Sequence, residues 1–147
     1  MPRDQSDFES FFADYLDAYN RSLGDRVDYG AIRSHFSSCF IAAGPEGVMT
    51  SENDESFSQA LDKSCAFYKS IGTKKMNVTG VQITDIDEGH YIAKVHYAAE
   101  YEKDDEPLVI PFAVTYMLED RDGQLKIFGF VAGDEMAIYR QYDLIPD

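Results

Sequence analysis

The 147-residue chain has no tryptophan, only 2 cysteines and 5 prolines, and 13 basic residues against 27 acidic ones. Its formal net charge of -14 argues against nucleic-acid binding, which depends on lysine and arginine neutralising phosphates. The same charge disfavours an anionic membrane surface, and no apolar run approaches the roughly 20 residues that span a bilayer. We therefore expect neither a nucleic-acid partner nor a membrane partner.

The start of the chain and the two cysteines predict a compartment. Residues 1–7 lack the basic region and apolar run of a secretory signal, so we expect a cytoplasmic protein. Cys39 and Cys65 lie far apart in apolar surroundings, which predicts two small buried side chains rather than a disulfide or a metal site. The histidines and acidic turns also lack metal-ligand spacing, and we expect no metal ion and no other cofactor.

The hydrophobic content of 44% is enough for one domain over residues 1–147, with helices over 6–72 and strands over 73–134. An apolar stripe at helical spacing follows a capping-box pattern at residues 6–9 and ends before Gly24, which predicts a left-handed cap there. A short second helix is expected from Asp28, and a third helix ends at Gly72.

Extended segments make up most of the remainder. Residues 39–43 and 48–50 flank a Gly-Pro-Glu-Gly turn and predict a short strand pair between the second and third helices. Four long antiparallel strands are expected at 76–86, 90–102, 108–119 and 125–133. The tail, residues 136–146, predicts an irregular or short helical closure.

The alternation of side chains along the strands predicts two covered faces. In residues 90–102 one phase carries Tyr91, Tyr97 and Tyr101 and is expected to face the helices. Both phases of the last two strands are apolar, and the helices can cover only one face of a sheet. A homodimer packed through the convex face of the sheet is therefore predicted.

This order of elements resembles the NTF2-like superfamily over nearly the whole chain. The resemblance implies an α+β class and a cone-shaped, cystatin-like fold, in which three N-terminal helices pack on a strongly curved antiparallel sheet. The superfamily includes ketosteroid isomerases, dehydratases, polyketide cyclases of the SnoaL kind and domains without known activity. Since one fold hosts many functions, the resemblance does not choose among them.

Comparison with the isomerases disfavours their reaction. Tyr15 matches the tyrosine that donates to the enolate, but Gly44 and Ala113 stand where that family has its two carboxylates. His35 is the one histidine expected to point inward, so Tyr15 and His35 are the candidate catalytic pair. The alternative is that a backbone carbonyl satisfies His35 and that Tyr15 is a core residue.

A ligand pocket is the leading functional interpretation. The resemblance directs six aromatic residues into the cone, and small residues between them leave room for a ligand. These candidate binding residues are Tyr15, Tyr19, Tyr97, Tyr101, Phe128 and Phe130. We expect a small, largely apolar molecule to be held there, although a filled aromatic core is an equal alternative.

Two other functions stay open at this point. One is a protein-interaction or dimerisation module, in which the cone is only a core. The other is metal-independent acid–base catalysis by an isomerase, dehydratase or cyclase, for which Tyr15 and His35 are the candidates.

Overall fold

A computed structural model describes residues 3–146, and its first helix, α1, spans Gln5–Ser22. Asp4 caps this helix by accepting from the Asp7 backbone N–H, while the Asp7 side chain accepts from the Asp4 N–H. The predicted start at residues 6–9 was therefore late, because the capping box lies at 4–7. The predicted left-handed cap at Gly24 was wrong too. The helix ends at Ser22, its C-cap Leu23 has right-handed backbone geometry, and Gly24 does not have a positive φ.

The next two helices agree with the predicted positions. Helix α2 spans Tyr29–Arg33 with Asp28 as its N-cap, and helix α3 spans Glu55–Ser70. Gly72 follows α3 with φ +87°, a backbone conformation that L side chains rarely adopt. A Cβ at Gly72 would also lie 2.5 Å from the Glu102 carbonyl oxygen, so both conformation and space require glycine here.

Six strands form one curved sheet in the order β2-β1-β6-β5-β4-β3. The pairing is antiparallel throughout, except that β1 runs parallel to β6, which corrects the expectation of a purely antiparallel sheet. The strands are β1 Phe36–Gly44, β2 Gly47–Glu52, β3 Thr73–Asp87, β4 His90–Lys103, β5 Glu106–Arg121 and β6 Gln124–Ala132.

A fourth helix, α4, spans Glu135–Gln141 and is capped by Asp134. The fold therefore has four helices in the described residues, where three were expected. The tail was expected to be an irregular or a short helical closure from residue 136; the structure has the helical one, which begins one residue earlier, at Glu135. The start of α4 at residue 135 matters because it places the carboxyl group of Glu135 in the wall of the cavity described below.

Helix α1 packs on the edge strand β3 and is fixed there by amide side chains. Asn20 Oδ1 accepts from the Met76 N–H at 2.8 Å, and Asn20 Nδ2 donates to the Met76 carbonyl at 2.9 Å. Gln5 Nε2 donates to the Val81 carbonyl at 2.7 Å. These bonds give partners to some of the unpaired backbone groups of the edge strand β3, and they hold α1 against that edge of the sheet.

The expected inward phase of β4 is confirmed by burial. Its inward residues are all buried: Tyr91, Ala93, Val95, Tyr97, Ala99 and Tyr101. Phe12 of α1, fully buried, packs against this face with its ring 5.0 Å from that of Tyr116 on β5. The helices therefore cover the concave face, as expected.

A β-bulge in β6 overturns the inward placement of Phe128. Met117 pairs with Gly129 and Leu118 pairs with Ile127, so Phe128 is an extra residue with no partner in β5. An extra residue shifts the alternation by one, which puts Phe130 on the inner face and Phe128 on the outer face. The Phe128 ring accordingly lies 6.1 Å from that of His90 on the outer side of β4.

The cysteines divide between surface and core. Cys65 is buried, as expected, at 1% exposure. Cys39 is exposed, which contradicts the prediction, because the neighbouring Phe40 takes the inward position on β1. Within residues 3–146, no helix has both the length and the apolar content that crossing a bilayer requires.

Candidate functional site

The cone between the helices and the concave face contains a cavity of about 310 Å³. Half of the twenty residues that line it are aromatic. The aromatic residues are Tyr15, Tyr19, Phe36, Phe40, Phe57, Tyr68, Tyr97, Phe112, Tyr116 and Phe130. The others are Leu16, Ala42, Ser51, Ala60, Leu61, Ser64, Met76, Val114, Ala132 and Glu135.

The opening of the cavity lies beside α3. Ala60 and Ser64 line the cavity and are also solvent-exposed, so they mark the rim on this helix. Glu135, the first residue of α4, and Ser51 of β2 are partly buried and complete the polar part of the wall. The polar lining residues other than tyrosine are Ser51, Ser64 and Glu135, each of which is partly buried or exposed.

Four of the candidate binding residues line this cavity. Tyr15 and Tyr19 reach it from successive turns of α1, with their ring centroids 5.2 Å apart. Tyr97 reaches it from β4 and Phe130 from β6. Tyr97 and Phe130 lie on the concave phase of their strands, and Tyr15 and Tyr19 lie on the helix that covers this face. The role of all four residues in binding stays a prediction.

Tyr101 and Phe128 do not line the cavity. Tyr101 is buried on the inner face, but its ring packs 6.4 Å from that of Tyr139 on α4. Helix α4 therefore fills the end of the cone where Tyr101 lies. Phe128 lies outside the cone because of the bulge in β6.

His35 occupies a position that a purely structural role explains. Its Nδ1 lies 2.7 Å from the Ala31 carbonyl oxygen, and its ring packs 4.9 Å from Phe11 and 5.5 Å from Tyr15. Burial lowers the pKa of His35, and the bond to Ala31 offsets part of that effect. His35 is partly buried beside Tyr15 but is not among the residues that line the cavity, and the catalytic role of the two residues stays a prediction.

Tyrosine hydroxyls supply hydrogen-bonding groups within the apolar wall. The Tyr97 and Tyr116 hydroxyl oxygens lie 2.7 Å apart in a buried pair. One of the two donates to the other, and the accepting hydroxyl keeps its own hydrogen for a further partner. Burial raises the pKa of Tyr15, Tyr97 and Tyr116, and it raises the pKa of Tyr19 to about 12. These groups are therefore neutral donors at physiological pH.

Glu135 is the functional candidate that the sequence interpretation missed. It is the one acidic residue among those lining the cavity, and burial raises the pKa of its carboxyl group while a hydrogen bond from Tyr68 offsets part of the rise. The available signal was Asp134 followed by an acidic first turn, a pattern typical of a helix start. The expected closure began at Met136, which left Glu135 in a solvated turn.

The lining has few ionisable side chains other than tyrosine. It contains no lysine, arginine, histidine or cysteine, and no group of three or more metal-ligating side chains occurs in residues 3–146. Raised pKa values make the tyrosines weak proton donors at neutral pH, although they remain good hydrogen-bond donors. Glu135 supplies the one carboxyl group of the lining.

The family comparison accounts for most of the chain. Residues 4–135 match the model of a family described as NTF2-like protein (DUF6841). Comparison with curated proteins gives no match.

Solved structures share the fold at low sequence identity. An NTF-2 like protein of unknown function from Shewanella oneidensis MR-1 is 16% identical with a TM-score of 0.66, over 88% of this chain and 98% of that one. An NTF2-like protein with a cystatin-like fold from Novosphingobium aromaticivorans is 10% identical with a TM-score of 0.70, over 98% and 90%. The beta subunit of benzoate 1,2-dioxygenase from Burkholderia mallei is 10% identical with a TM-score of 0.70, over 94% and 95%.

Proposed function

We propose that this chain, which belongs to the NTF2-like family, binds a small, largely apolar molecule in the cavity between its helices and its sheet. The observation that carries the proposal is the cavity itself. A volume of about 310 Å³ is at the lower end of the roughly 300–1,000 Å³ that ligand pockets occupy. Aromatic walls with a few polar groups are also typical of such pockets.

The polar groups favour orientation of a ligand rather than its conversion. The Tyr97–Tyr116 pair offers one hydroxyl hydrogen from the deep wall, and Glu135 offers a carboxylate nearer the solvent. Two polar groups in a mostly apolar cavity can fix which way an elongated molecule lies. We therefore propose binding without turnover as the function.

A pair of matched variants tests whether the cavity is the binding site. Ala60 and Ala66 are both exposed alanines on α3, but only Ala60 lines the cavity. Ala60→Trp should block the rim, whereas Ala66→Trp adds the same side chain away from it. Native mass spectrometry of the purified protein, and a thermal-shift screen of aromatic and terpenoid amines, alcohols and acids, would identify a ligand.

We expect a ligand retained by the wild type to be lost in Ala60→Trp and kept in Ala66→Trp. If no molecule is retained and none of the screened compounds shifts the Tm, the binding proposal is wrong. Equal loss of the ligand in both variants would also contradict it, because the effect would then not depend on the cavity.

A second proposal concerns the convex face, where we propose that two copies of the chain associate. Ile41 and Val131 are 39% and 50% exposed on neighbouring strands of this face. The Met117 side chain lies over Gly129 between them, so the patch continues across β1, β6 and β5. A chain of net charge -14 repels its copies elsewhere, and this patch is where two copies can meet without charge.

Light scattering of matched variants tests the association. The wild type should show a particle about twice the 16.6 kDa of one chain. Val131→Lys should dissociate it, whereas Ile86→Lys, on the far edge strand at 54% exposure, should not. A wild-type monomer at micromolar concentration would overturn the proposed association.

A further inference from the structure

We propose that the ligand of this cavity is an organic amine, whose ammonium group pairs with the Glu135 carboxylate while its apolar body lies among the aromatic rings. The inference rests on the proposed binding function and adds the chemical class of the ligand. It follows from the charges that line the cavity, the burial of the one carboxylate among them, and the rings beside that carboxylate.

The charges of the cavity are of one sign. Among its twenty lining residues Glu135 has the one carboxyl group, the tyrosines there are neutral and no basic residue is present. In residues 3–146 no lysine, arginine or histidine nitrogen lies within 4.0 Å of the Glu135 carboxylate. The protein supplies one carboxyl group to the cavity and no cation to pair with it.

The position of this carboxylate is unfavourable without a partner. Removing a carboxylate from water has a free-energy cost that an opposite charge within contact distance offsets. The neighbouring Asp134 shows the contrast, since it is exposed and its carboxylate accepts from the Ala137 N–H at 2.9 Å. The Tyr68 hydroxyl lowers the pKa of Glu135 in part, but it is neutral and supplies no opposite charge.

Aromatic rings share the wall of the cavity with Glu135. Tyr19 and Tyr68 line the cavity together with Glu135, and the charge of Glu135 adds to the rise that burial causes in the pKa of both tyrosines. The faces of aromatic rings attract cations, so the rings and the carboxylate favour the same ligand group. The net charge of -14 further raises the local concentration of cations around the protein.

The same arrangement disfavours the other ligand classes. A carboxylate or phosphate in the ligand would be repelled by Glu135, and no lysine or arginine in the lining would compensate. A neutral ligand would fill the apolar volume but would leave the carboxylate desolvated and unpaired. The expected order of affinity for ligands of one shape is therefore amine, then alcohol, then acid.

A matched series of probes tests this order. Phenethylamine, phenethyl alcohol and phenylpropanoate share the phenylethyl body and differ in the terminal group, and calorimetric titration at neutral pH measures each affinity. We expect phenethylamine to bind roughly ten- to a hundredfold more tightly than the alcohol, the range that one charge-assisted hydrogen bond provides. Phenylpropanoate should bind more weakly than the alcohol.

Two variants separate a direct charge contact from a general charge effect. Glu135→Gln should lower the phenethylamine affinity at least tenfold and change that of the alcohol by less than about threefold. Asp134→Asn removes a carboxylate from the neighbouring residue and keeps a good N-cap, because asparagine caps helices about as well as aspartate. This variant should therefore leave the amine affinity nearly unchanged. An equal effect of both variants would overturn the proposal, since long-range attraction would then explain the preference.

The outcomes also separate this inference from the proposed function. If the alcohol or the acid binds as tightly as the amine and Ala60→Trp abolishes that binding, the cavity binds ligands but the amine class is wrong. If none of the three probes binds, and the wider screen is also negative, the binding function itself fails. If Glu135→Gln still prefers the amine over the alcohol, the ammonium group does not pair with the Glu135 carboxylate and the proposal is wrong.

Discussion

The concave and convex faces of the sheet are built from alternate residues of the same strands, yet they differ in chemistry. The concave face is buried under the helices and combines aromatic rings with tyrosine hydroxyls, of which Tyr97 and Tyr116 form a pair. The convex face exposes aliphatic side chains such as Val109 and Val131. A small displacement along a strand therefore decides whether a side chain contributes to the cavity or to the outer surface.

The largest expected difference between the faces is in stability. Phe12→Ala should lower the free energy of unfolding by about 3–5 kcal/mol, because the fully buried ring of Phe12 packs on the concave face. Val109→Ala on the convex face, where the side chain is 56% exposed, should change it by less than about 0.5 kcal/mol. Urea denaturation of both variants measures the difference, and similar losses would contradict the assignment of faces.

The bulge in β6 predicts different effects for two phenylalanines two residues apart. Phe130→Ala removes a ring from the cavity wall and should weaken binding of phenethylamine about three- to tenfold through lost apolar contact. Phe128→Ala should alter it less than about twofold, since that ring lies on the outer side of the sheet. Calorimetric titration compares them, and a larger effect at Phe128 would show that the register is wrong.

Loss of a single hydroxyl on either face should have a smaller effect. Tyr116→Phe removes the partner of the buried Tyr97 hydroxyl and should lower stability by about 1 kcal/mol. Its neighbour Thr115 lies on the opposite face, and Thr115→Val should change stability by less than about 0.5 kcal/mol. Thermal unfolding of both variants would measure the contrast. Equal changes would mean that the hydroxyl pair does not contribute to stability.

The smallest predicted effect is a pH dependence of the ligand-free protein. Because the folded-state pKa of Glu135 is raised above its ordinary value, its ionisation disfavours folding as pH rises through that pKa. The groups coupled to Glu135 are Tyr19, Tyr68, Tyr101 and Tyr139, whose raised pKa values keep them neutral over the acidic to neutral range.

Glu135→Gln should therefore be more stable than the wild type at neutral pH. The difference should shrink as pH falls below the ordinary glutamate range, where the carboxyl group is protonated in both the folded and unfolded states. Denaturation at several pH values, with Asp134→Asn as the control, measures it. A difference that grows towards acid pH would contradict the burial of this carboxylate.

Much of the fold was predictable because its signals are local. Capping residues such as Asp28 and turn residues such as Gly72 place the helix boundaries, and alternation along β4 gives its inward phase. The resemblance then implied which faces meet. Tyr15 and Tyr97 consequently lie in the cavity where they were expected.

The errors arose where tertiary contacts decide the local structure. The bulge at Phe128 depends on the pairing of β6 with β5, which alternation in one strand does not contain. A seven-residue helix such as α4 is stable only through its packing, so its start at Glu135 was missed, together with the carboxylate that it brings to the cavity. The tail was expected only to close the fold, whereas it contributes Glu135, the one carboxyl group of the candidate site.

A crystal structure of the protein with phenethylamine tests the central claim most directly. The account predicts electron density for one phenylethyl group in the cavity near Tyr19 and Tyr68, with the ammonium nitrogen at hydrogen-bonding distance from a Glu135 carboxylate oxygen. A cavity occupied by the protein's own side chains, or the amine bound only outside it at saturating concentration, would contradict the account.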